Sequence, residues 1–238
     1  VGSYEGVARC NAVMKLLAIA GPDVSDALKT SYAAQARFLR AHYYFELKRH
    51  FNNTPYVDET IDVGSGIEAV KNDVDLWPKI EADMEYAYQN LPATQGQVGR
   101  VNKWAAAAYL AKIYMYQDKF TEAKTLFDLM INPDGTGKVV TSNNKTWGLV
   151  PYYANIFKAS NDNHEESIWA YQAAANTGSV NNANPEFDLN WPYNTGPDGP
   201  GNCCGFFQPS FELANSFRTG ADGLPLLDGS YNTGANQL

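Results

Sequence analysis

The stretch Asn190-Trp191-Pro192-Tyr193-Asn194 sets two large aromatic rings beside two primary amides. Flat rings stack on apolar faces, and planar amides both donate and accept hydrogen bonds. That pairing suits a neutral ligand offering hydroxyls and apolar ring faces, such as an oligosaccharide. Similar but smaller sets are Trp147 with Tyr152 and Tyr153, Phe206 with Phe207, and Tyr231 with Asn232. The candidate binding residues are therefore Trp191, Tyr193, Asn190, Asn194, Phe206 and Tyr231. The alternative is that Trp191 and Tyr193 pack their loop onto a helical layer. Trp77, Trp104 and the run Tyr43-Tyr44-Phe45 fall in helical patterns and read as core.

Other chemistries find less support. Glu165 with Glu166, and Glu186 with Asp188, offer paired carboxylates of the kind glycosidases use as acid and base. Nothing in the sequence sets their separation. Gly-x-Ser-x-Gly, His-Glu-x-x-His and phosphate-cradling glycine loops are all missing, so no catalytic residue is assigned. The three His (His42, His50, His164) and three Cys (Cys10, Cys203, Cys204) lack zinc-site spacing. Cys203 and Cys204 are either two thiols or a strained vicinal disulfide. Asp134 and Asp162 sit in turn-rich loops without EF-hand spacing, so no metal or cofactor is expected.

The totals narrow the partners. The net charge of −8 opposes nucleic-acid binding, which needs a basic face, and charge-driven docking on an anionic bilayer. No stretch of about 18 or more apolar residues exists to span a membrane as a helix. Hydrophobic residues at 45% against 18% charged residues describe an ordinary globular core. The chain opens VGSYEGVARC inside a helical pattern and closes DGSYNTGANQL in a turn-rich stretch. Both ends read as cuts through something larger.

These loops need a rigid support, and the first 131 residues supply it. A helix over residues 4–20 stops at Gly21-Pro22. A second, from Ser25 or Asp26 to Phe51, carries Ala34, Phe38, Ala41 and Phe45 on one face, with Arg37, Arg40 and Lys48 off it. A third is predicted from Asp73 to Leu91, lined by Ile80, Met84, Ala87 and Leu91. The fourth and fifth span Asn102–Gln117 and Thr121–Ile131. Leu110, Ala111, Tyr114, Ala123 and Phe127 match the tetratricopeptide spacing of large, small and aromatic positions. The small residues let the two helices approach, and Leu110, Tyr114 and Phe127 should fill the space around them. Residues 132–238 change character to Asn, Gly, Pro and Ser, with SIWAYQAA reading as a strand. The expected fold is mainly α: tetratricopeptide-like hairpins over 1–131, with a loop-rich, short-strand region over 132–238 packed on them as part of the same domain.

Four segments then carry a family resemblance. SYAAQARFLRAHYYFELKRHFNNTPYV (31–57), GRVNKWAAAAYLAKIYMYQDKFTEAKTLFDLMI (99–131), NHEESIWAYQ (163–172) and GFFQPSFELANSFRTGADGLP (205–225) resemble, in order, motifs of the SusD/RagB proteins. Gln35 stands where the family often has Glu. The resemblance implies a lipoprotein on the extracellular face of the Bacteroidetes outer membrane that captures oligosaccharide for a SusC-like, TonB-dependent transporter, without turnover. It implies a chain covering the N-terminal to middle portion of a longer protein. The lipid anchor would lie upstream of Val1, Cys10 not being the lipidated residue. A tetratricopeptide-like protein-interaction scaffold, or a glycoside hydrolase, is the alternative.

Overall fold

A computed structural model describes residues 2–62, 64, 66–172 and 210–233. The chain divides into two compact units, residues 1–172 and 173–238. Among the described residues it is mainly α, with six helices and no named strand.

In the first unit, α1 (Gly2–Ile19) packs on α2 (Asp26–Phe51), α2 on α3 (Trp77–Asn90), α3 on α4 (Lys103–Met115) and α4 on α5 (Phe120–Met130). Each helix therefore packs on the next in chain order, the arrangement of stacked helical hairpins. Gly6 makes the first crossing close: a Cβ there would lie 2.2 Å from Cε2 of Tyr43. Ser25 caps α2, its hydroxyl accepting from the Leu28 amide at 3.4 Å. Lys48, Arg49 and His50 in the last turn offset the negative end of the helix dipole. The predicted stripe of Ala34, Phe38, Ala41 and Phe45 is wholly buried, and Ile80, Met84, Ala87 and Leu91 of the third helix join it in one core.

Helix α3 begins at Trp77, later than the predicted Asp73. Asp75 stands outside the helix and its carboxylate accepts from the Trp77 amide at 3.2 Å, so it precedes the first turn instead of extending it. Pro78 follows in that turn, where its missing N–H costs little. Asn102 likewise lies just outside α4, accepting from the Ala105 amide at 2.8 Å. Its amide nitrogen donates to the carbonyls of Ala93, Val140 and Thr141. One side chain thus starts a helix and fastens two loops to it.

After α5 the chain turns back on itself through single antiparallel bridges, Ile131 with Gly137 and Val140 with Thr146. A Cβ at Gly137 would meet the Trp147 carbonyl at 2.2 Å, so glycine permits that approach. The expected strand at SIWAYQAA is not formed over its described residues. Residues 168–172 are irregular, and one ladder-like bond, from the Ser142 amide to the Ile168 carbonyl at 2.9 Å, joins them to the preceding turn. Ile168 and Trp169 both pack against the core, so the alternation that strand pairing needs is absent. In the second unit, α6 (Phe211–Asn215) is capped by Ser210, and the Arg218 guanidinium donates to the carbonyls of Tyr231 and Thr233 at 2.9 and 3.1 Å.

Candidate ligand-binding surface

Asn190, Trp191, Tyr193, Asn194 and Phe206 lie outside the described residues, as do Phe207, Glu186, Asp188, Cys203 and Cys204. Tyr231 is described: it is half-buried in a 3-10 turn over Ser230–Asn232, with its carbonyl held by Arg218.

The set of Trp147, Tyr152 and Tyr153 separates. Trp147 is only 8% exposed and joins the core, whereas Tyr152 and Tyr153 are 73% and 77% exposed. Trp147 also lines a cleft of about 410 Å³ with Ala108, Lys112, Phe127, Leu149 and Ile168. Phe127 was expected to pack around the α4–α5 contact. It is 38% exposed in this cleft instead: Ala123, Leu126 and Met130 form the buried face of α5, and Phe127 lies at the edge of that face. Leu110, Ala111 and Ala123 are buried as the tetratricopeptide pattern requires, and the Tyr114 hydroxyl donates to Glu85 at 2.8 Å. The cleft offers ring surfaces edged by Glu165, Glu166 and Lys112, a floor suited to an apolar ring face.

Two carboxylates near the cleft have structural work. Glu166 accepts from the Val150 amide at 2.8 Å. Asp134 is satisfied by the amide and hydroxyl of Thr136, at 2.9 and 2.7 Å, as a solvated turn. No group of three His, Cys, Asp or Glu suited to a metal occurs among the described residues. Burial pushes the Cys10 thiol up to about 11, which leaves it protonated and unreactive at neutral pH.

Two features have no sequence signal strong enough to predict them. Arg40 is buried although it lies off the apolar stripe. Its guanidinium donates to both Asp83 oxygens at 2.6 and 2.9 Å, to Asn11 at 2.9 Å and to Glu59. It ties α1, α2, α3 and the loop after α2 together. Trp169 donates its indole N–H to the Gly99 carbonyl at 2.8 Å and packs edge-on against Phe38 and His42.

The described helices form a stack of hairpins, and comparison with known proteins narrows the class. Residues 1–115 match the SusD-like family described as starch-binding and associating with the outer membrane. A SusD-like protein of Formosa agariphila is 36% identical over 114 residues, covering 43% of this chain and 23% of its own length. One from Bacteroides ovatus is 29% identical over 175 residues, covering 72% of this chain and 32% of its own length. Among solved structures, a laminarin-binding SusD-like protein superimposes with a TM-score of 0.60 at 28% identity, covering 74% of this chain and 38% of its own. Surface glycan-binding protein A of Bacteroides thetaiotaomicron, solved in complex with laminarihexaose, gives 0.57 at 28% identity, covering 72% and 34%. Over its first 115 residues the chain is similar to the SusD-like proteins. It matches 23% and 32% of the length of these two curated relatives.

Proposed function

We propose that the protein binds an oligosaccharide at the cell surface without cleaving it and delivers it to a SusC-like, TonB-dependent transporter. The observation that carries this reading is the likeness, in sequence and fold, to a laminarin-binding protein and to one solved with laminarihexaose. The chemistry of the sequence agrees: aromatic rings and amides gather in its turn-rich segments. On this reading residues 1–131 are the scaffold and 132–238 carry the ligand loops. Trp191, Tyr193, Asn190, Asn194, Phe206 and Tyr231 contact the glycan, and a lipid anchor outside this chain holds the protein on the extracellular face of the outer membrane.

Affinity gels containing plant, host and microbial polysaccharides test the binding step. Retardation on at least one gel, with no release of reducing sugar, is expected. Free migration on every gel would overturn the reading, and reducing-sugar release would make the protein a hydrolase. Delivery is tested by copurification from the outer membrane, where a TonB-dependent barrel should accompany the protein.

The interaction-scaffold alternative has one observation in its favour. A groove of about 450 Å³ between α1 and α2 is lined by Val13, Leu16, Leu17, Tyr32 and Leu39. A partner seated there would be lost on Leu16→Asp while glycan retention stayed intact.

A further inference from the structure

A cluster of amide side chains joins three separated segments at one place in the first unit. The Gly99 amide donates to Asn143 Oδ1 at 3.3 Å. Asn143 Nδ2 donates to Asn163 Oδ1 at 2.8 Å. Asn163 and Gln172 exchange bonds of 2.9 and 3.0 Å. Beside Gly99, Arg100 donates to Gln35 Oε1 at 2.8 Å and to Gln97. These side chains are half-buried or exposed.

The backbone is shaped for the cluster. Gly99 has φ +83°, and a Cβ there would lie 2.6 Å from Gln172 Cγ, so glycine admits the Gln172 side chain. Asn163, at φ 59°, takes the left-handed conformation that Asn tolerates. Trp169 pins the Gly99 carbonyl from beneath. The amides are therefore held in place before any ligand arrives, which lowers the ordering cost of binding.

The donor set selects the ligand. No carboxylate takes part in these bonds, so the oxygen-rich anionic shell a hard cation needs is missing. One guanidinium stands where phosphate or sulfate sites gather several. With Gln172 Nε2 also donating to the Ala170 carbonyl at 2.9 Å, Asn143 keeps an amide hydrogen and an oxygen lone pair, Asn163 an amide hydrogen and Gln172 an oxygen lone pair, and a sugar hydroxyl both donates and accepts. We propose that the surface of Asn143, Asn163, Gln172, Gln35, Gln97 and Arg100 contacts the hydroxyls of an uncharged oligosaccharide. This rests on the glycan-binding function proposed above and adds a second contact region to the loop at Trp191. Tyr171, next to Gln172 in the chain, is 64% exposed and supplies a ring close by.

The test is calorimetry of the whole protein with laminarihexaose and a panel of neutral oligosaccharides, using the exposed-site variants Gln172→Ala and Arg100→Gln. For the oligosaccharide that binds wild type, each variant should weaken binding by roughly fivefold with unchanged thermal unfolding. Hydrogen exchange in residues 95–100 and 163–172 should slow when that oligosaccharide is added. Wild-type affinity in both variants, with unchanged exchange, would overturn this proposal and leave the general function standing. A wild type that binds nothing in the panel would overturn both.

Discussion

Arg40 lies off the apolar stripe of α2, yet it is among the most buried charged groups described. Burial alone would weaken its charged form, but the hydrogen bonds and negative charge of Asp83 outweigh that and raise its pKa. Asp83→Ala strands the guanidinium and should lower stability by roughly 3–5 kcal/mol in urea denaturation. Replacing both with Met and Leu should recover most of the loss. A loss below about 1 kcal/mol for the single change would mean the pair behaves like a surface one. His42 gives a pH signature. Burial lowers its pKa below the ordinary 6.5, with Lys112 and Arg49 adding to the effect and Glu46 opposing it. A group with a depressed folded pKa binds its proton more readily when unfolded, so stability falls as pH drops from 6.5 towards the folded value. His42→Gln, which can keep a hydrogen bond to Tyr109, should flatten the stability change between about pH 7.5 and 5.5. An unchanged slope would assign that change to other groups.

At the scale of elements, caps separate from anchors. Ser25 makes one capping bond, whereas Asn102 caps α4 and also satisfies three loop carbonyls. Ser25→Ala should cost about 1 kcal/mol and Asn102→Ala roughly 2–4 kcal/mol in chemical denaturation. Equal costs would show that the loop bonds contribute nothing. The helices themselves were legible because the stripe of Ala34, Phe38, Ala41 and Phe45 repeats at helical spacing, and because Gly21-Pro22 separates the first helix from the second. The start of α3 was less so, since Asp73 and Asp75 suit both a first turn and a cap outside it. The strand at SIWAYQAA failed because a short apolar run carries no information about whether a partner strand exists. Phe127 occupies a signature position, but the signature does not say which side of α5 the 131–149 segment will leave open.

For the whole molecule, the likeness to SusD-like proteins and the helical class could be read from ordered motifs, while the meeting of distant loops could not. Loop side chains meet partners far apart in sequence, as the bonds from Gly99 to Asn143 and from Asn143 to Asn163 illustrate. No local period announces such meetings. Tyr231 carried the right chemistry, yet only the structure places it in a turn held by Arg218. The account stands on glycan capture by this scaffold, and isothermal titration of the whole protein against neutral oligosaccharides, with Trp191→Ala beside wild type, tests it most directly. Saturable binding is predicted, weakened in Trp191→Ala by roughly 1–3 kcal/mol. Wild-type protein that gives no heat of binding with any member of the panel would contradict it.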